Sequence, residues 1–177
     1  MKANDALPAR NKNSRAKELL RQRYRPVRVK ILFVGESPPA SGRFFYQENS
    51  GLYRVIRDVF IKALPSFRDG DFLEVFRAHG CYLVDLCDTP VDRLSPKKRR
   101  QACMDSEVRL SKMLRELHPL IIVTVVKSIA NNVRRAQEAA NWQGTHLELP
   151  YPGRWKHHRI TFAKALAQLL RNVYRAS

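Results

Sequence analysis

The alternation of short apolar runs with segments of helical periodicity constrains the fold of this chain more than any other feature. Residues 29–34, 81–86 and 120–126 form β-branched or apolar runs that predict buried strands, and 146–149 predicts a short fourth strand. Strands that alternate with helices build parallel sheets covered on both faces. We therefore expect an α/β domain, a three-layer α/β/α sandwich around a mostly parallel four-stranded sheet.

The segments between these runs show the apolar spacing that is typical of helices. Apolar residues recur at helical spacing from Leu52 to Phe60, from about Ser128 to Ala140 and from Ile160 to Val173. Ser95-Pro96 is typical of a helix start, and the pattern predicts that this helix continues to Leu117.

The length of 177 residues is that of one domain with a substantial core, and no repeat or low-complexity linker divides it. We expect a single domain over residues 1–177, with a basic N-terminal arm at about 1–27. Ten basic and two acidic residues in the first 30 suit an arm that docks on phosphates, but a merely solvated terminus fits equally well.

The charge balance indicates a polyanionic partner. Lys and Arg number 33 against 16 Asp and Glu, a formal net charge of +17. Such an excess destabilises the compact state by self-repulsion, but it favours nucleic acid, because each neutralised phosphate releases counterions. The run 97–100 lies in the first turns of a helix, which favours a phosphate patch over the alternatives of a nuclear-import signal or plain solvation. We expect a nucleic acid as partner.

Several other classes of protein find no support in the sequence. No apolar run approaches the ~18 residues of a membrane span, and the N-terminus has no secretory signal. We expect no membrane association, a monomer, and a cytoplasmic location (nuclear in a eukaryote). The dinucleotide-binding, P-loop and esterase motifs are absent. The three cysteines have no CxxC spacing, which predicts free thiols and no metal or iron–sulfur site built from cysteine alone. Since no other convincing ligand set is present, we expect neither metal nor cofactor.

The loop after the first strand, residues 35–51, carries the strongest chemical signal. It combines Glu36 and Glu48 with three consecutive aromatic residues, 44–46, between turn-forming Gly and Pro. A carboxylate can orient water and stabilise a developing cation, and an aromatic face can stack on a planar base. These groups suit hydrolysis of an N-glycosidic bond on an extruded nucleotide. We expect them to wall a nucleobase-sized cavity that opens onto a positively charged face.

Two motifs in this loop resemble the uracil-DNA glycosylase superfamily. Val-Gly-Glu-Ser-Pro-Pro at 34–39 is similar to its first motif, in the Gly-Glu-x-Pro form of the thermophile-type branch. Residues 41–51 are similar to that branch's continuation, and the likeness extends over about 29–173. The resemblance implies a uracil-DNA glycosylase-like fold and a base-excision repair enzyme that removes a damaged or deaminated base, uracil or a related one. It also implies that the partner is double- or single-stranded DNA. That branch carries a four-cysteine iron–sulfur cluster, which this chain should lack.

The resemblance also implies roles for individual residues. Phe45 would stack on the extruded base, and either Glu36 or Glu48 would handle the water. Groups around Glu36 would line the base pocket, namely Gly35, Ser37 and Pro38. Structural alternatives stay open, since Glu36 could cap a loop and Glu48 could serve the N-terminus of the next helix.

The sequence departs from the family pattern at two positions. Asp85 stands where the family has a base-reading Asn, and an ionised Asp only accepts hydrogen bonds. A base that presents donors, or a protonated Asp85, would fit. Tyr151 stands where the family has a His, so that His157 or His158 would supply an imidazole. The residues expected at DNA are Arg43, Arg154, Trp155, Lys156, His158 and Arg159.

These departures leave other functions open. A non-catalytic DNA-binding or damage-sensing protein on the same fold is the main alternative. A hydrolase of free nucleosides or nucleotides is a third, which the charge of +17 disfavours.

Overall fold

A wholly parallel sheet forms the centre of the protein. The computed structural model describes residues 9–68 and 70–174, with side chains described from Ser14 onward. Within this part four strands pair in the order β2-β1-β3-β4. They are β1 (Ile31–Gly35), β2 (Cys81–Asp85), β3 (Ile121–Thr124) and β4 (Thr145–Glu148). The predicted α/β class and four-stranded sheet are confirmed, and the strands lie within three residues of the predicted bounds.

Helices connect the strands and cover the sheet. They are α1 (Ala9–Arg23), α2 (Gly51–Ala63), α3 (Phe72–Ala78), α4 (Pro96–Asp105), α5 (Glu107–Leu117), α6 (Ala130–Ala140) and α7 (Lys156–Tyr174). Helix α5 packs on α6 and α2 packs on α7, an arrangement compatible with a three-layer sandwich. Over the described ranges, no helix combines the length and the apolar character that crossing a bilayer requires.

The helix predicted from Ser95 to Leu117 is in fact two helices. It begins as expected, with Ser95 as N-cap and Pro96 in the first turn, but α4 ends at Asp105. The hydroxyl of Ser106 donates to the carbonyl of Ala102 at 2.7 Å, and such back-bonding competes with the helical ladder. Helix α3 was not predicted, because its seven residues are too few to show a clear period.

A cluster of aromatic rings packs beneath the loop that follows β1. Phe33 on β1 lies 5.6 Å from Phe76, and Phe60 lies 5.4 Å from Phe76, between ring centroids. Phe45 of the loop joins the same cluster through Phe76, at 5.6 Å. Each such pair contributes about 1 kcal/mol beyond the area it buries. The loop is therefore held by the core and does not lie free on the surface.

The N-terminal segment is a helix packed against the domain. Residues 1–8 of the expected arm lie outside the described residues. From Ala9, helix α1 leads to Arg21 and Tyr24, both of which are buried. The Tyr24 ring stacks on Tyr46 with an interplanar angle of 9°.

Candidate active site at the carboxyl ends of the strands

A cavity of about 460 Å³ lies where β1 and β2 end. Register brings its polar groups together, because Gly35 pairs with Asp85 across the two parallel strands. The residue after Gly35 is Glu36, so that two carboxylates enter the wall from neighbouring strands. Other wall residues come from the loop after β1, from the start of α2, from α4 and from the ends of β3 and β4; they include Ser37, Pro38, Pro39, Ser41, Arg43, Phe44, Phe45, Leu52, Arg99, Val125, Val126 and Tyr151.

Glu36 is held by Arg99 of α4 through both carboxylate oxygens. The Nε of Arg99 donates to Oε1 at 2.8 Å, and Nη2 donates to Oε2. Only 13% of the Glu36 side chain is exposed, against 40% for Arg99. The hydrogen bonds to Glu36 raise the pKa of Arg99 above its usual value. Such a two-pronged pair fixes the orientation of the carboxylate.

Asp85 forms a second ion pair, with Arg21 of α1. The Nη2 of Arg21 lies 3.1 Å from Oδ2, and both side chains are buried. Burial raises the pKa of Asp85, and the cations Arg21, Arg109 and Lys17 oppose that rise. Burial alone would lower the pKa of Arg21, but Asp85 and Glu18 raise it above its usual value. The cavity therefore contains two carboxylates, each paired with an arginine from a different helix.

Two phenylalanines supply the apolar wall. Phe45 packs edge-on against Tyr46 and Tyr53, at 5.2 and 5.6 Å, so that its orientation is fixed by the core. Phe44 is also buried, and the guanidinium of Arg21 lies 5.3 Å from its ring centroid. Tyr151, at 46% exposure, is the aromatic residue of the wall most open to solvent.

Glu48 does not lie in the cavity wall with Glu36. It ends a short 3₁₀ turn over Phe45–Gln47 and has a left-handed backbone, with φ of 61°. Its side chain accepts a hydrogen bond of 2.5 Å from the hydroxyl of Tyr53 on α2. The backbone turn directs the carboxylate toward the start of α2. The expectation that both loop carboxylates share one cavity is therefore corrected to Glu36 alone.

The loop before α7 forms a separate exposed cluster. Arg154 lies over the Trp155 ring at 5.4 Å, and Trp155 is 57% exposed. His157 and His158 contact each other, with centroids 4.3 Å apart. Neither histidine lines the cavity; of this loop only Tyr151 does. The expectation that His157 joins the carboxylates is corrected accordingly, because α7 begins at Lys156 and carries both rings away on its first turn.

The basic residues expected at DNA all lie at or near the surface. Arg43 is exposed and belongs to the cavity wall. Lys156 and Arg159 are exposed on the first turn of α7, and His158 is half-buried there. Their contact with DNA stays a prediction.

Two polar residues of the site were not singled out from the sequence. Arg21 reaches Asp85 from 64 positions away, and Asp92 accepts from the backbone N–H of Ala40 at 3.1 Å. Tyr46 binds both backbone groups of Leu83. Arg99 lay within the predicted phosphate patch, but its partner in the structure is Glu36. Long-range contacts of this kind leave no local pattern in a sequence.

Two free thiols lie behind Glu36. Cys87 and Cys103 are buried with their sulfur atoms 3.8 Å apart, and Cys103 lies 4.0 Å from Glu36. Burial raises the pKa of Cys103 to about 12. Over the ranges 14–68 and 70–174, no group of three or more His, Cys, Asp or Glu side chains is arranged to hold a metal ion.

Comparison with known proteins adds no assignment to this geometry. No protein-family model matches the chain, and no curated protein matches its sequence. The fold and the cavity define an α/β protein with a paired-carboxylate site at the carboxyl ends of its parallel strands.

Proposed function

We propose that this protein is a DNA glycosylase that hydrolyses the N-glycosidic bond of a damaged base, with a fold of the uracil-DNA glycosylase type. The observation that carries the proposal is the wall of the 460 Å³ cavity, where Glu36 and Asp85 meet Phe44, Phe45 and Tyr151. A planar base fits between aromatic faces, and carboxylates favour a cation that develops at the adjoining sugar. The motif resemblance at 34–51 points to the same chemistry.

The charge of the chain favours DNA over a free nucleotide as substrate. A net charge of +17 exceeds what one nucleotide could neutralise, whereas a duplex offers a phosphate on each strand every ~3.4 Å. Arg43 in the wall and the exposed side chains of Lys156 and Arg159 are the groups we assign to phosphates. The partner of the proposed enzyme is therefore a DNA strand whose damaged nucleotide has left the stack.

The proposed reaction is a dissociative hydrolysis. The bond from the sugar C1′ to the base nitrogen breaks, and its electron pair leaves with the base. Water then adds to C1′ of the cation-like sugar and gives up a proton, and the leaving nitrogen or solvent takes up a proton. The products are the free base and an abasic sugar.

Glu36 is suited to electrostatic work in this reaction. Its carboxylate accepts two hydrogen bonds from Arg99, which hold it in a defined orientation in the cavity wall. It would stabilise the positive sugar and orient the water, which needs little deprotonation before it attacks a cation. Arg99 would hold that carboxylate in place.

Tyr151 is the side chain we assign to the leaving base. Burial raises the pKa of its phenol, so the hydroxyl keeps its proton at neutral pH. A phenol at the cavity wall could donate to the departing base anion, as a backbone N–H would. This places on Tyr151 the role that the resemblance gives to a histidine.

The test is release of bases from oligonucleotides. Single- and double-stranded substrates would carry uracil, hypoxanthine, xanthine, mismatched thymine, or oxidised and alkylated bases, and abasic product would be detected by strand cleavage in alkali. We expect Glu36→Gln to lower the rate by about 100-fold or more. Glu74→Gln is the matched control, because Glu74 pairs with an arginine at the surface of α3, outside the cavity wall. Equal rates for Glu36→Gln and wild type would refute the assigned role.

One observation favours a second function. Both cavity carboxylates already form ion pairs with arginines, which suits a site that binds an extruded base without cleaving it. Such a protein would recognise damage and recruit other factors. Tight, salt-dependent binding to damaged DNA without abasic product from any substrate would support this alternative and exclude the glycosylase.

A further inference from the structure

The ion pair between Arg21 and Asp85 links the N-terminal helix to the innermost polar group of the cavity. Only 9% of the Arg21 side chain and 10% of the Asp85 side chain are exposed. Arg21 also pairs with Glu18 on its own helix, and its guanidinium lies beside Phe44. Removing one member of a buried pair leaves the other charge uncompensated, which costs far more than the loss of a surface pair. Arg21 is therefore placed to influence whether the Asp85 carboxyl is ionised.

Cations outnumber anions around the Asp85 carboxylate. From α1 it faces Arg21 and Lys17, with Glu18 behind Arg21, and from α5 it faces Arg109. Arg109 donates to the backbone carbonyls of Asp85 and Leu86, at 2.6 Å each. The phenol of Tyr46 also lies close, but its hydroxyl already serves Leu83. Burial leaves the pKa of Asp85 above its ordinary value, and these cations, Arg21 first among them, limit that rise and so favour ionisation.

Ionisation decides which bases Asp85 can recognise. A carboxylate accepts hydrogen bonds and donates none, whereas a protonated carboxyl or an amide does both. Oδ2 is engaged with Arg21, and Oδ1 lies at Gly35, where a methyl group would come within 2.7 Å of it. A base carbonyl facing these oxygens would meet only lone pairs. An exocyclic amino group would donate to them.

We propose that Arg21 is a positioning residue that keeps Asp85 as an ionised acceptor, and that the cavity therefore selects damaged bases which retain an exocyclic amino group. The substrate part of this inference rests on the proposed glycosylase function. The role of Arg21 in keeping Asp85 ionised does not depend on that function. The substrate part of the proposal narrows the class from damaged bases in general to oxidised or alkylated forms of cytosine, adenine or guanine. Deaminated bases are excluded from this class.

The decisive substrates are 5-hydroxycytosine and 5-hydroxyuracil at one position of the same oligonucleotide. They differ at ring position 4, an amino group against a carbonyl, and at the adjacent N3, which is a bare acceptor in 5-hydroxycytosine and an N–H in 5-hydroxyuracil. The proposal places ring position 4 against Asp85, so the amino group is the donor that the test compares. We expect the wild-type protein to release 5-hydroxycytosine at least about tenfold faster, because a site built for a hydrogen bond rejects the analogue that cannot make it. A preference for 5-hydroxyuracil, or equal rates, would overturn the proposed substrate class.

Variants separate the role of Arg21 from that of a merely structural residue. Asp85→Asn restores an amide and should shift the preference toward 5-hydroxyuracil. Arg21→Met should do the same at low pH, because an unpaired buried Asp85 takes up a proton and becomes a donor as well. Its release of 5-hydroxyuracil should fall as pH rises, since Asp85 then ionises. Arg21→Lys should keep the wild-type preference, and Arg77→Met, at a surface pair of α3, is the control.

A measurement without substrate tests the pair independently. Carbon-13 NMR of the Asp85 carboxyl should give a higher pKa in Arg21→Met than in wild type and in Arg21→Lys. Equal values would refute the role of Arg21 whatever the enzyme assay shows. If wild type releases no base from any oligonucleotide, the proposed glycosylase function and the substrate class fall together, and the NMR titration still decides the role of Arg21. If Arg21→Met does not fold, Arg21→Gln, which removes the charge but keeps a polar partner, takes its place in both measurements, and Asp85→Asn decides the base preference.

Discussion

The hydroxyl of Tyr46 satisfies both backbone groups of Leu83. It accepts from the N–H of Leu83 at 2.7 Å and donates to its carbonyl at 2.9 Å. β2 is the edge strand of the sheet next to β1, so these groups have no partner strand on that side. The Tyr46 phenol thus satisfies the hydrogen-bonding groups of Leu83 at this strand edge, and it links the 36–48 loop to β2, the strand that carries Asp85.

Replacing Tyr46 with Phe should destabilise the protein by about 3 kcal/mol, because two buried backbone groups lose their partner. Chemical unfolding in urea measures the change. Tyr24→Phe is the matched control, since the Tyr24 ring stacks on Tyr46 but its hydroxyl makes no hydrogen bond to the described residues. A loss in Tyr46→Phe no greater than in Tyr24→Phe would mean that the phenol contributes only its ring.

Gly35→Ala should disturb Asp85 directly. A methyl group there would lie 2.7 Å from Oδ1 of Asp85, closer than van der Waals contact allows. We expect a loss of about 1–3 kcal/mol in stability together with a changed base preference, because Asp85 must move. Gly51→Ala is the control at the same cavity, since a methyl group there meets nothing within 4 Å. Wild-type stability and base preference in Gly35→Ala would contradict the packing described here.

Local sequence pattern was sufficient for the sheet and insufficient for the pairing of charges. Residues 31–34 and 81–86 are buried from end to end, and their apolar composition marked them as strands. The parallel pairing of β1 with β2 then brought Glu36 and Asp85 into the wall of one cavity. Arg21 could not be assigned in this way, because its contact with Asp85 depends on how α1 packs.

The direction of a side chain in a loop was the second feature that could not be predicted from the sequence. Glu48 and Glu36 both belong to one loop, yet a left-handed backbone at Glu48 directs its carboxylate to Tyr53. Spacing in a loop without regular structure carries no information about such a turn. The break at Ser106 escaped prediction for a related reason, since serine interrupts a helix only when its hydroxyl finds a backbone carbonyl.

His146 should make stability depend on pH. Burial lowers its pKa below 6.5, and the nearby Glu148 opposes this. Its Nε2 lies 2.7 Å from the hydroxyl of Thr124. A histidine with a lowered pKa binds fewer protons on average in the folded state than in the unfolded state. The free energy of unfolding therefore falls as the pH drops below about 6.5. His146→Gln should lose this part of the pH dependence.

Urea unfolding at several pH values, compared between wild type and His146→Gln, isolates the contribution of His146. Other groups titrate in both proteins, and their effects cancel in the difference. The difference in unfolding free energy should be constant above about pH 7 and should shift in favour of the variant as the pH is lowered. A difference that does not vary with pH would show that His146 has the same pKa in both states.

The first turn of α7 should contribute to DNA affinity through charge. Lys156 and Arg159 are exposed there, and a helix N-terminus adds further positive potential for a phosphate. Lys156→Ala and Arg159→Ala should each weaken binding to duplexes of any sequence. Each should also reduce the slope of log affinity against log salt by about 0.9.

Two further variants locate the contact. Trp155→Ala removes an exposed ring without removing charge, so it should weaken binding and leave the slope unchanged. Arg77→Ala removes a charge near the amino ends of the strands, away from the cavity, and should change neither quantity. Binding titrations over a range of salt concentrations measure all four variants. If Arg77→Ala reduces the slope as much as Lys156→Ala does, DNA does not bind preferentially at α7, and the attraction comes from the basic surface as a whole.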